Sequence, residues 1–211
     1  MATALGARRV DILEPNPMNF MNLLATQLSN ENLLKSWCLS NSCISDSDEN
    51  QFIGPFPKIF SSASSSRTSS NEVDGVEIPS LTLSKFRENK RAYSLIKIDI
   101  EGGEQFILKD LHMFGDSMSA IWLSLHPAIL LERGDDIEFY AQEVARLSES
   151  FYITDGNNFE IDTQTVKERV LSKEARPTWG TEWGNLFEIG LLPKCYFTRI
   201  SADKVITRKL Q

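Results

Sequence analysis

The chain has 211 residues, with 22 Lys and Arg against 29 Asp and Glu, for a net charge of −7. That balance argues against a phosphate backbone as the main partner, because nucleic-acid affinity rests on neutralising phosphates with basic side chains. A hydrophobic content of 41% with 24% charged residues suits one soluble domain over residues 1–211, and no stretch approaches the roughly 20 apolar residues that span a bilayer. The start, MATALGARRVDILEPNP, has no long apolar core behind its basic residues, so no secretory signal is expected. Cys38, Cys43 and Cys195 form no metal-type or redox-type spacing. Reduced thiols in a cytoplasmic setting, with no metal site, are therefore expected.

The first expected strand is Arg9–Leu13, ending at Glu14. Pro17 suits a first helical turn, where its missing N–H costs nothing. Phe20, Leu23, Leu24 and Leu28 then recur at helical spacing. Leu33 to Leu39 reads as a second strand, with Ser40-Asn41-Ser42 as its turn. Residues 61–70 hold seven serines and no large apolar side chain. Such a segment cannot bury enough surface to offset its ordering entropy, so it reads as a mobile loop; a lid over a ligand is the competing reading. Val76–Ile78 is a short strand, and Thr82 caps a short helix to Asn89. Ser94–Ile100 is nearly continuous apolar, the pattern of a strand buried on both faces of a parallel sheet. Glu101-Gly102-Gly103-Glu104 breaks it, and Gln105–Phe114 reads as a helix with Ile107, Leu111 and Phe114 on one face. Ala120–Leu125 is a further strand, stopped at His126-Pro127. Asp135-Asp136 opens a helix whose stripe is Ile137, Tyr140, Ala141, Val144 and Leu147. Phe151–Thr154 enters a turn at Asp155–Asn158, Thr165–Ala175 is helical, and Asn185–Leu192 is the last strand.

Strands alternating with helical patterns predict an α/β fold with a mostly parallel sheet, and the turn at 155–158 suggests an antiparallel strand at an edge. In open α/β sheets ligands bind beyond the carboxyl ends of the strands. That rule selects Glu14, Leu39-Ser40, Asp99 to Glu101, and Ser124 to His126. Glu14 fits an acceptor for ribose hydroxyls; a solvated acid capping the helix near Asn16 is the alternative. Asp99, at the end of a buried strand, either pairs with a base such as Lys97 or faces a ligand. Glu104 suits capping of the following helix. His126 is a candidate proton acceptor from a hydroxyl, with a structural role as the competing reading.

Leu95-Ile-Lys-Ile-Asp-Ile-Glu-Gly-Gly-Glu104 resembles the KIDVEGAE-like hallmark of FkbM-type methyltransferases, with Ile100 and Gly103 as conservative departures. Glu14-Pro-Asn-Pro17 followed by Asn19-Phe20 is similar to that family's EPNPENF segment, and Leu39-Ser40 falls at its ALSD turn. The resemblance runs from about residue 5 to 192. It implies a Rossmann-like class I methyltransferase fold, S-adenosyl-L-methionine as cofactor, and O-methylation of a small-molecule or glycan hydroxyl. By position it implies that Glu14 holds the ribose, with Asn16 in the same segment, and that Cys38 and Leu39 lie near the adenine. Asp99 would lie near the methionine end or the acceptor, with Asp99 and His126 as catalytic candidates. Glu14 and Asp99 are then expected to terminate neighbouring strands facing one crevice.

Two departures stand out. Ser124 replaces an acid that the family commonly carries two residues before His-Pro, and no D-x-G-x-x-x-G segment represents the family's first strand and glycine-rich cofactor loop. A sheet lacking that strand leaves its two neighbours without a shared ladder partner. The competing readings are therefore a degenerate, non-catalytic binding domain and a truncated gene product. A nucleotide-sugar enzyme would also place an acid after the second strand, but it leaves Lys97 to Glu104 unexplained.

Overall fold

Val10–Leu13 (β1) forms the first strand of the computed structural model, which describes residues 6–53, 76–88, 93–117, 119–155, 160–172 and 187–195. The serine-rich stretch at 61–70 and residues 156–158 of the expected turn lie outside the described residues. The chain divides into two compact units, Met1–Phe86 and Arg87–Gln211.

In the first unit, β1 leads into α1 (Pro17–Ser29). Asn16 Oδ1 accepts from the N–H groups of Met18 and Asn19 at 2.9 and 3.3 Å, satisfying two donors that a helix start leaves unpaired. A short α2 (Glu31–Leu34) follows, and β2 spans Trp37–Ser40. The second strand thus begins four residues later than the expected Leu33. Leu33, Leu34 and Lys35 are good helix formers, and the Gln27 amide donates to the carbonyls of both Leu34 and Trp37, closing the helical turn before the strand starts. β1 and β2 pair in parallel, from Val10↔Trp37 to Leu13↔Ser40. β3 (Cys43–Ser45), β4 (Gln51–Ile53), β5 (Val76–Ile78) and β6 (Ser80–Thr82) come next. β3 pairs with β6 in parallel and β4 with β5 antiparallel. α3 covers Leu83–Glu88, and Thr82 Oγ1 accepts from Lys85 N–H as the expected cap. Cys43 and Ile78 pack together as a small buried cluster.

The second unit is built on a sheet of β7 (Leu95–Ile98), β8 (Ala120–Leu125), β9 (Phe151–Thr154) and β10 (Phe187–Pro193), in spatial order β7-β8-β10-β9. β7 and β8 are parallel, Leu95↔Ala120 to Ile98↔Leu123. β10 runs antiparallel to both β8 and β9, so the reversed strand lies inside the sheet and antiparallel pairing reaches the edge strand β9. The helices are α4 (Leu108–Leu111), α5 (Pro127–Arg133), α6 (Ile137–Arg146) and α7 (Thr163–Leu171). Where one helix is expected from Gln105, two 3-10 turns flank α4, yet Ile107, Leu111 and Phe114 are all buried as their spacing requires. Tyr140, Ala141, Val144 and Leu147 are buried on the predicted stripe of α6 and the turn after it. The Asp136 side chain caps α6 at Phe139 N–H.

Parallel pairs occur in three of the four sheets among the described residues, which is an α/β architecture. β7 departs from the expected burial on both faces: Leu95 is 62% exposed. Among the described residues β7 bonds only to β8, and β1 only to β2. A run of apolar residues reports composition, whereas burial depends on whether a neighbouring strand is present. No helix among the described residues is long and apolar enough to cross a membrane. Cys38 is exposed, Cys43 buried and Cys195 half-buried, and none of them is in a disulfide.

Candidate functional site

In the first unit, Glu14 follows β1 and extends its ladder by donating its N–H to Ser40 O at 3.1 Å. Its carboxylate turns back and accepts the Asn16 N–H at 2.8 Å. Asn41 Nδ2 donates to the carbonyls of Glu14 and Pro15, so the two strand ends are tied together. Burial raises the Glu14 pKa above the usual 4.5, while the Asn16 N–H and a side-chain hydrogen bond with Asn19 pull it back in part. Asn16 is buried and serves as the helix cap. Cys38 and Leu39 lie within β2, the first exposed and the second half-buried, opposite Asp11 and Ile12. Thus Glu14 and Asn16 share the turn after β1, whereas Cys38 and Leu39 occupy the strand beside it.

In the second unit, parallel β7 and β8 deliver the residues after their C-terminal ends to one edge of the sheet. His126, one residue past β8, reaches Asp99, one residue past β7, with Nε2 to Oδ1 at 3.5 Å. Glu101 Oε2 lies 3.7 Å from the same nitrogen. The loop that carries both acids is tightly wound, with Glu101 at φ +52° and Gly102 at φ +86°. Glycine suits the second position because a Cβ there would fall 2.8 Å from Ile129 Cγ2.

Glu104 organises this loop. It is fully buried, yet it is satisfied: it accepts from the N–H groups of Ile100 and Gly102 at 3.2 and 3.0 Å, and meets His126 Nδ1 at 2.8 Å. Buried carboxylates need such partners. The sequence pointed to Glu104 as a helix cap; its observed role is to fasten the loop after β7 to the imidazole after β8. Arg133 donates to Gly102 O at 2.9 Å and pairs with Asp135, bracing the loop from α5.

Asp99, expected either to pair with a base such as Lys97 or to face a ligand, is 45% exposed and takes the first of these partners. Lys97 Nζ pairs with Asp99 Oδ2 at 3.3 Å and with Glu188 Oε1 at 3.1 Å, and hydrogen-bonds Ser124 Oγ. Ser124, at the departure from the family pattern, also donates to Glu188 at 3.1 Å. Burial disfavours the charged form of His126, but the hydrogen bond to Glu104 and the charges of Glu104, Glu101 and Asp99 outweigh it, so its pKa rises above the usual 6.5. Glu101 is also raised, first by burial, with the charge of His126 opposing and those of Asp99 and Glu104 adding. Tyr140 is buried beside this network: burial, then the charge of Glu104, drives its pKa well above 10. Its hydroxyl has no hydrogen-bond partner among the described residues.

The sequence marks Asp99 and His126 as site candidates and Glu101 only as a capping charge. The available signal was its place two residues beyond Asp99, next to a glycine pair that lets the backbone fold back. Chemically, the second unit presents an imidazole nitrogen and two carboxylates at one partly open point.

The family model for the methyltransferase FkbM domain matches residues 3–163. No curated protein matches the chain. Among solved structures, the chain is similar to methyltransferase FkbM from Methylobacillus flagellatus KT, at 16% identity and a TM-score of 0.35. That likeness covers 56% of this chain and 26% of the other, so the match spans about a quarter of that protein.

Proposed function

The chain belongs to the methyltransferase FkbM domain family, and from that premise we propose that it is an S-adenosylmethionine-dependent O-methyltransferase acting on a small-molecule or glycan hydroxyl. The observation that carries the reading is the convergence of Asp99 and His126, 3.5 Å apart, beyond the carboxyl ends of adjacent parallel strands. Open α/β sheets bind their ligands at such strand ends.

The residues after β1 suit the adenosyl group on one observation. Glu14 is a half-buried carboxylate whose burial is only partly compensated by the Asn16 N–H, leaving acceptor capacity for two ribose hydroxyls. Asn16 holds the turn that aims it, and Cys38 and Leu39 provide strand surface for the adenine. When bound, the cofactor supplies an electrophilic sulfonium methyl. The protein's own contribution is alignment, exclusion of water and management of the acceptor proton. In this reading His126 Nε2 or Asp99 Oδ1 takes the hydroxyl proton, and their 3.5 Å approach at the strand ends supports it. Lys97 holds the outer oxygen of Asp99, which keeps the inner one directed at the imidazole.

Calorimetry of the whole chain with S-adenosylmethionine tests the proposal. Micromolar binding that Glu14→Ala abolishes supports it; no heat at millimolar ligand refutes it and leaves a non-catalytic binding domain. Given binding, methyl transfer to a panel of hydroxylated acceptors should fail in His126→Ala and Asp99→Asn.

A further inference from the structure

Side chains from the loop after β7 and from the end of β8 converge on a single point. His126 is only 12% exposed, and its Nδ1 is committed to the buried Glu104 carboxylate at 2.8 Å. Its Nε2 makes no hydrogen bond among the described residues, although it faces Asp99 Oδ1 at 3.5 Å and Glu101 Oε2 at 3.7 Å. One ligand atom from each of Asp99, Glu101 and His126 lies within 4.8 Å of the other two.

From this geometry we infer that Asp99, Glu101 and His126 form a binding site for a first-row divalent cation of the Mn2+ type. The gaps are long for hydrogen bonds, but they are close to the edge of a coordination polyhedron. Ligands about 2.0–2.2 Å from a metal lie about 3.0–3.5 Å apart. A small inward movement of the two acids closes the difference, and Asp99, 45% exposed, has room to make it.

The surroundings carry the other marks of such a centre. Metal-bound histidines usually give their second ring nitrogen to a carboxylate that fixes the tautomer and the ring. Glu104 occupies that position, and it is itself held by the N–H groups of Ile100 and Gly102. Charge also calls for a cation. Asp99, Glu101 and Glu104 all face the His126 ring, and the lysine beside Asp99, Lys97, is shared with Glu188. Arg133, the next cation, is engaged by Asp135 and Gly102 O. Two carboxylates with one imidazole suit Mn2+, which accepts both hard oxygen and imidazole ligands.

Three protein ligands leave coordination positions open, the arrangement of a catalytic centre rather than a structural one. An acceptor hydroxyl bound there would be polarised and made more acidic by the cation. The inference deepens the reading of this site as the acceptor end of a methyltransferase, which it takes as its functional context. Cation binding itself does not depend on methyl transfer.

The test is titration of the chelator-stripped full chain with MnCl2, following the loss of the free Mn2+ electron paramagnetic resonance signal. One saturable site is expected, weakened about tenfold or more by Asp99→Asn and by His126→Asn, each checked for native fold by near-ultraviolet circular dichroism. Glu101→Gln, at a half-buried loop position, provides a further independent variant. No saturable binding up to millimolar Mn2+ overturns the inference, as does a site whose affinity all three variants leave unchanged. Calorimetry with S-adenosylmethionine alone separates the two ideas. Cofactor binding without a cation site removes only this inference, and a cation site without cofactor binding removes only the methyltransferase reading.

Discussion

Glu104 Oε1 and His126 Nδ1 meet at 2.8 Å across 22 residues of chain, and this one contact joins the loop after β7 to the end of β8. Because Glu104 is wholly buried and also receives two backbone N–H groups, its removal strands several polar groups at once. Glu104→Ala should cost about 2–4 kcal/mol of stability in urea denaturation. Asp99→Asn, at a partly exposed ion pair, should cost under about 1 kcal/mol. Equal losses for the two variants would contradict the role given to Glu104.

Gly102 and Gly134 both have positive φ, but only Gly102 is crowded: a Cβ would come 2.8 Å from Ile129 Cγ2, whereas none lies within 4 Å at Gly134. Alanine at Gly134 should lose only the left-handed strain, roughly 1–2 kcal/mol. Alanine at Gly102 should lose more, because Ile129 must also move. Thermal melts of the two variants make the comparison, and an equal loss would show that the close approach costs nothing.

The Tyr140 hydroxyl is buried and has no hydrogen-bond partner among the described residues. Tyr140→Phe removes a desolvated group that gains nothing in return. It should leave stability unchanged or raise it by up to about 1 kcal/mol, where a hydrogen-bonded tyrosine would lose about 1. A clear loss in chemical denaturation would reveal a partner for the hydroxyl.

Glu14 has a pKa raised above the usual 4.5, chiefly by burial. Folding therefore favours its neutral form, and acidification from the raised value down to 4.5 adds stability through this group. Binding of ribose hydroxyls to the carboxylate runs the other way. The affinity for S-adenosylmethionine should fall as pH drops toward 4.5, earlier than for an ordinary glutamate. In Glu14→Gln it should be weaker and flat across that range. Calorimetry at several pH values gives both curves, and an unchanged slope in the variant would remove Glu14 from the cofactor's contacts.

The elements that were legible in the sequence share a local cause. β8 and β9 fall on the predicted residues, because each is a short apolar run bounded by a breaker such as His126-Pro127. The helix start at Pro17 and the helix opening at Asp135-Asp136 were likewise readable from neighbouring residues, whereas the cap of the first helix is Asn16 itself rather than the acid beside it. β2 was misplaced because Leu33 and Leu34 suit either state, and the choice was made by Gln27, a residue of the preceding helix. The strand-end rule singles out both Asp99 and His126. It does not distinguish the buried Glu104 from an ordinary helix cap.

Local patterning in the chain determines which segments become strands or helices, where they stop, and which acids and histidine stand at strand ends, since those depend on side chains a few residues apart. The partners of those side chains were decided in three dimensions. Parallel pairing of β7 with β8 brings residue 99 to residue 126, and the burial of Glu104 aims the imidazole at Asp99 and Glu101. Burial and charge act through space, so the exposure of Leu95, the engagement of Lys97 and the shifted titration of His126 arise only once distant strands are hydrogen-bonded side by side.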